Sequence, residues 1–302
     1  MNVPLLLFLS ALASLGARAF SKLCSDMVVG HSKARYTLFY AVNGIVSCIF
    51  FLVADGFRVA LNLPTFIYSL VFAILVAASL FVSLWLLKLA TISGVNILSS
   101  AFGLVLTSAM GFLAFSEEPT PIKLIRIALM VIAAAFVFID EGRINGKTDG
   151  KKRGLRALLP LFFAVTLSAV ISCLVTLVTK LYVTSDAVAS ENSFFFWTNV
   201  LLVLGSALFF VLMCLKSRTA FRDSMSLLHP KKLISLAGNT LCSNAGSLIA
   251  ILLVAQMELS VYTPVSSAIG IIVAVIASLI FRERLGLFSY LAAAVACGAM
   301  II

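Results

Sequence analysis

Charge is what this sequence has least of. Only 11% of its 302 residues are Asp, Glu, Lys or Arg, while 62% are apolar; a soluble domain carries about 25% charged and about 45–50% apolar residues. Histidine is almost missing too. His31 and His229 lie far apart, so no His/Cys grouping has the spacing of a metal site. The cysteines Cys24, Cys48, Cys173, Cys214, Cys242 and Cys297 are scattered and form no CxxC pair, which reads as small core residues rather than a zinc or redox centre. No cofactor or metal is expected, and no enzymatic activity.

What remains is a set of long apolar runs. A membrane-spanning helix needs about 20 mostly apolar residues, so ten spans use roughly 200 positions and leave no room for a separate soluble domain. The runs lie near 3–21, 36–54, 65–87, 91–114, 121–139, 156–179, 194–215, 233–255, 260–281 and 286–302. The expected fold class is therefore an all-α integral membrane protein with ten transmembrane helices. The first twenty residues have the small-x-small shape of a cleavable signal at Ala17-Arg18-Ala19. No Lys or Arg precedes that apolar run, however, and it has an internal counterpart, so a retained first span is expected.

The net charge of +10 belongs to the loops, because unpaired charge within a bilayer is costly. Seventeen of the 22 Lys and Arg residues fall in odd-numbered loops and four in even-numbered ones. Positive charge is retained on the cytoplasmic side. The bias predicts a multi-pass protein of the cell (inner or plasma) membrane with both termini extracytoplasmic, in contact with membrane lipids and not with nucleic acid.

The halves of the chain resemble each other. Ser99-Ser100-Ala101-Phe102-Gly103 in the fourth span recurs as Ser266-Ser267-Ala268-Ile269-Gly270 in the ninth, and small residues at every fourth position continue the match: Ser99, Gly103, Thr107, Gly111 against Ser266, Gly270, Ala274, Ser278. Phe115-Ser116-Glu117 corresponds to Phe281-Arg282-Glu283, Lys22-Leu23 to Lys180-Leu181, and Phe39 with Asn43 to Phe195 with Asn199. Five spans per copy is an odd number, so the second copy enters the membrane in the opposite sense. The expected organisation is a first five-helix repeat over 1–142, a basic linker loop over 143–155 and a second five-helix repeat over 156–302. Such inverted-topology repeats place substrate sites near the midplane. The small-residue stripes have a simpler use as well, since they let helix backbones approach closely.

The succession LLKLATISG, SSAFG, FSEEPT and a closing apolar helix, repeated as LLVAQMELS, SSAIG, FRERLG and a terminal helix, resembles the EamA-type branch of the drug/metabolite transporter superfamily. The resemblance implies a carrier of small metabolites or drug-like solutes. Glu117 and Glu283 stand at the family's Glu position, while Ser116 and Arg282 replace its usual Gly, and Gly103 and Gly270 replace mid-helix prolines. Phe196-Trp197-Thr198-Asn199 is similar to the Phe-Tyr-Asn-Asn stretch of nucleotide-sugar carriers, but their Gly-Ala-Leu-Asn-Lys motif is absent.

Polar groups inside the spans are the site candidates, because each requires a partner, a water or a solute. Asn43 and Asn199 hold matching positions in spans two and seven, and an amide both donates and accepts; an interhelical hydrogen bond is the other reading. Span eight carries Asn239, Thr240, Ser243, Asn244 and Ser247, of which 240, 243, 244 and 247 share one helix face. That stripe reads as a cavity wall or as a seam of interhelical bonds. Asn96, Ser99 and Ser100, with Ser266 and Ser267, are candidates for the opposite wall, and Trp197 and Tyr262 for stacking on a solute or anchoring at the interface. Arg18 and Lys88 read as snorkelling cations, with anion binding as the alternative for Arg18. Asp and Glu residues all fall in loops or at helix ends, so no central carboxylate is available for proton coupling.

The expected function is secondary transport of a small polar metabolite or drug-like solute by alternating access, as export or exchange. A non-transporting receptor or structural membrane protein, and a lipid-modifying membrane enzyme, are the alternatives. The sequence leaves monomer and homodimer both open.

Overall fold

The computed structural model describes residues 3–28, 33–86, 92–148, 155–186, 188–280 and 287–301; the side chains of 92–100 and 140–158, among others, fall outside the description. Every regular element among the described residues is a helix: α1 (Val3–Val28), α2 (Lys33–Ala54), α3 (Leu63–Leu86), α4 (Ile92–Ala114), α5 (Pro121–Thr148), α6 (Leu155–Val183), α7 (Glu191–Lys216), α8 (Arg218–Met225), a three-residue 3₁₀ turn (Ser226–Leu228), α9 (Pro230–Gln256), α10 (Leu259–Ile280) and α11 (Leu287–Ile301). The described residues of each of the ten apolar runs thus fall within a helix. The structure adds α8, which sequence reading left as part of a basic break, and carries α5 through 143–148, where a loop was expected. Neither stretch contains a proline to interrupt helix formation.

Five helices are long and apolar enough to cross a membrane over described residues: Val3–Phe20, Ala34–Ala54, Leu159–Val183, Glu191–Leu215 and Pro230–Gln256. Shorter apolar stretches occur at Leu63–Ser79, Val105–Ala114, Leu259–Val273 and Tyr290–Ala299. Apolar side chains also face outward. On α7, Leu204, Leu208, Val211 and Leu215 lie on one helix face and all are exposed, a surface that water would disfavour and lipid would not.

The helices form two compact units, Met1–Ile74 with Leu181–Leu252, and Leu75–Lys180 with Leu253–Ile302. Each draws on both halves of the sequence, and the divisions fall within α3, α6 and α9. In the first unit α2 packs along α7. Their crossing is close because Gly44 has no side chain: a Cβ there would stand 2.5 Å from Val203 Cγ2 and 3.5 Å from the Asn199 carbonyl oxygen. Aromatic rings fill the space beside it, with Phe51 stacked on Phe195 and Phe194 on Tyr182. Between α1 and α9, Gly238 admits the Phe20 ring and Gly16 admits Cys242.

In the second unit α4 packs on α10 and α5 on α11. Met130 and Ala133 of α5, Ala268 and Ile271 of α10, and Ala292 and Ala299 of α11 make one buried core. A second core joins Val82 and Leu86 of α3 to Leu161, Ala164, Val165 and Ile171 of α6. Alanines at these contacts let the backbones come close, the packing mode of helices in lipid.

Because Val203 is β-branched and cannot swing aside freely, Gly44→Ala is expected to destabilise the protein by about 1–3 kcal/mol. Adding Val203→Ala recovers most of that penalty, measured as thermal stability of the detergent-solubilised double variant against Val203→Ala alone.

Candidate functional site

The polar side chains of the first unit gather along α2 and α9. The Thr240 hydroxyl donates to Asn43 Oδ1 and reaches the Leu236 carbonyl of its own helix at 2.8 Å. One turn further on, the Asn244 amide donates to Ser47 Oγ at 3.0 Å, and that hydroxyl lies 3.2 Å from Asn244 Oδ1. Ser47 is 5% exposed and Asn244 8%, so each would be costly without the other. Thr240 and Asn244 therefore join helices, while Ser243 is exposed and Asn239 half-buried with no side-chain hydrogen bond among the described residues. The Ser247 hydroxyl bonds the Ser243 carbonyl at 3.1 Å.

Asn43 adjoins Gly44 on α2, and Asn199 lies across the same crossing on α7, its backbone carbonyl oxygen 3.5 Å from where a Gly44 Cβ would stand; no hydrogen bond joins the two amides among the described residues. The Asn199 amide donates to the Phe195 carbonyl at 2.8 Å, and its side-chain oxygen accepts no hydrogen bond among the described residues. Asn43 is the complement, since its oxygen accepts from Thr240 and its amide hydrogens make no bond among the described residues. The two residues thus present donor and acceptor capacity at one helix crossing. On the same face of α2, the Tyr36 and Tyr40 hydroxyls lie 3.2 Å apart. Sequence reading missed these tyrosines, although 36, 40, 43 and 47 follow helical spacing and make a polar stripe.

The other candidates are placed differently. Trp197 donates from Nε1 to the Ala60 carbonyl at 3.1 Å, tying α7 to the 55–62 loop. In the second unit Tyr262 and Ser266 are half-buried one turn apart and Ser267 is buried. The side chains of Asn96, Ser99 and Ser100 lie outside the described residues, as does Lys88. Arg18 is half-buried on α1 and makes no hydrogen bond or ion pair among the described residues.

Two charged networks at helix ends were not foreseen. In the first unit, Asp55 accepts from the Ser190 hydroxyl at 3.1 Å and the Ser193 hydroxyl at 3.2 Å, and Ser190 is the N-cap of α7. A carboxylate there meets the positive end of the helix dipole. In the second unit, Glu117 Oε1 and Oε2 accept from the backbone N–H groups of Leu259 and Ser260 at 2.7 and 2.8 Å. Lys180 Nζ donates to the Val254 and Met257 carbonyls at 2.8 and 3.0 Å. Lys123 pairs with Glu258 and donates to the Glu118 carbonyl. The turn between α9 and α10 is thus held by an ammonium on the carbonyl end of one helix and a carboxylate on the amide end of the next, the stable sense at both.

The backbone just before Glu117 is left-handed, with φ 52° at Ser116, the conformation that costs least at glycine.

No family model matches the chain, and no curated protein matches it. Solved structures do. One is the crystal structure of a protein that shares 14% sequence identity, with a TM-score of 0.59 over 97% of this chain and 95% of that chain. The likeness is one of fold, and it extends over nearly the whole length of both.

Glu117→Ala removes two charge-assisted bonds from the α10 N-terminus and is expected to cost about 2–3 kcal/mol. Ser116→Gly should act in the opposite direction, by about 1 kcal/mol. Thermal unfolding of the two purified variants beside the parent checks both signs.

Proposed function

We propose that the chain is a secondary transporter of the cell membrane, with ten transmembrane helices in two inverted five-helix repeats, carrying a small polar solute by alternating access. One observation carries the reading. The three most extensive helix pairings join counterparts in the two halves, α2 with α7, α4 with α10, and α5 with α11, the second, fourth and fifth spans of each copy; α4 also packs on α5, and α10 on α11, within their own copies. A two-fold axis in the membrane plane relates the copies of an inverted repeat, and helices nearest such an axis touch their own counterparts.

Three further features support it. The described helices carry apolar residues on their outer faces, as lipid contact requires. Asn43 and Asn199, the matched amides, sit at the counterpart crossing of α2 and α7 with donor and acceptor groups that have no partner among the described residues. Those groups suit a neutral or zwitterionic solute with both kinds of hydrogen-bonding group, and the absence of a central carboxylate favours exchange or facilitation over proton coupling. The resemblance to EamA-type transporters agrees with this reading.

The test begins with untargeted metabolite profiling of cells and medium after overexpression, followed by counterflow of the solutes that change, in proteoliposomes. Saturable exchange is the expected result. Asn43→Ala and Asn199→Ala should each reduce it about threefold to tenfold, the worth of one neutral hydrogen bond. Stability should change little, because Thr240 keeps its bond to the Leu236 carbonyl when Asn43 is truncated. Exchange that both variants carry out normally would leave the amides as packing groups only, and no exchange across a broad solute panel would contradict the transporter reading.

A further inference from the structure

The short helix α8 has no part in the transport site, yet it is held firmly. It connects α7 to α9, both long and apolar enough to span a membrane, and it is only eight residues long. One side is fixed to the start of α2. Arg35, 3% exposed on α2, bonds Asp223 of α8 at 3.2 Å, and Leu227, in the turn that follows, is buried in a core with Cys24, Phe39 and Leu236. Lys232 Nζ donates to the Ser226 carbonyl at 3.1 Å and closes that turn onto α9.

The opposite side is apolar and basic. Phe221 and Leu228 are 45% and 40% exposed, and with the half-buried Met225 they stand at i, i+4 and i+7 along the helix and turn. Arg222 and Lys231 are exposed beside them, with no ion pair among the described residues. The segment 216–232 holds five Lys and Arg residues and a single acid, Asp223, whose charge is taken up by Arg35.

We infer that α8 lies in the plane of the membrane surface and is a binding site for anionic phospholipid headgroups. Connectivity supplies the depth, because a helix joining the ends of two spans sits at headgroup level. There the Phe221–Leu228 ridge meets the outer methylenes while Arg222 and Lys231 meet phosphodiesters, the arrangement of interfacial amphipathic helices. The Arg35–Asp223 pair, buried on the Arg35 side, keeps the basic face outward by engaging the one acid of the segment that would otherwise neutralise it. The segment is an odd-numbered loop, so the charge rule puts it at the cytoplasmic leaflet. This inference rests on the chain being embedded in a membrane.

The full chain is reconstituted into nanodiscs of phosphatidylcholine alone, or of equal parts phosphatidylcholine and phosphatidylglycerol. Native mass spectrometry then reads which lipid stays with the released protein. Phosphatidylglycerol should be retained in preference. Arg222→Gln/Lys231→Gln should lower that preference about tenfold, whereas Arg58→Gln, an exposed cation beyond the far end of α2, should leave it unchanged. Equal retention of the two lipids, or a preference that survives the double substitution, overturns the proposal. A chain that enters neither nanodisc refutes the membrane reading and the lipid site with it.

Discussion

A polar group enclosed by an apolar bundle has no water to fall back on, and the arrangement of this protein follows from that constraint. Where two helices bring polar side chains together, the groups satisfy each other: Thr240 with Asn43, and Ser47 with Asn244. At helix ends, the orphaned backbone groups are met by charge of the matching sign. Glu117 caps the amide end of α10, Lys180 the carbonyl end of α9, and Asp55 the Ser190 cap of α7. Not every group is matched: the Ser108, Thr198 and Ser260 hydroxyls are buried without a hydrogen-bond partner among the described residues. Among the described residues Asn43 and Asn199 each keep half of an amide without a hydrogen bond at the same crossing, and in the proposed transporter that residual capacity is available to a solute.

Close approach is the second requirement, because lipid offers no hydrophobic drive for helices to associate. Gly44 brings α2 onto α7, Gly238 and Gly16 seat α1 against α9, and alanines line the joint of α5, α10 and α11. These contacts connect packing with function. The crossing that Gly44 allows is the one that sets Asn43 beside the α7 backbone at Asn199, so the same missing side chain determines both stability and the geometry of the candidate site.

Much of the fold was legible in the sequence because the signal is long. Runs of apolar residues near the length of a span dictate helices whatever their neighbours, and the described residues of all ten fall in helices. Short polar segments carry no such signal: α8 is hydrophilic enough to read as loop, and its helical form depends on Arg35 and the core around Leu227, both contributed by distant chain. The site was legible in part. The helical spacing of 240 and 244 identified a polar face, but not whether it faced a cavity or α2. Tyr36 and Tyr40 went unnoticed because aromatic residues at a span end read as interface anchors. Glu117 was marked by its motif, yet its role is set by Leu259 and Ser260, more than a hundred residues away, which no local pattern encodes.

The central claim is that counterpart helices meet because the two halves run in opposite senses through one membrane. Labelling of single cysteines by a membrane-impermeant maleimide in intact cells, on a cysteine-free background, tests it most directly. Arg58→Cys and Asp186→Cys lie in even-numbered loops, one in each half, and Ser226→Cys in the turn after α8. The account predicts that the first two are labelled from outside and the third only after permeabilisation. Labelling of Ser226→Cys in intact cells, or opposite outcomes for Arg58→Cys and Asp186→Cys, would contradict it.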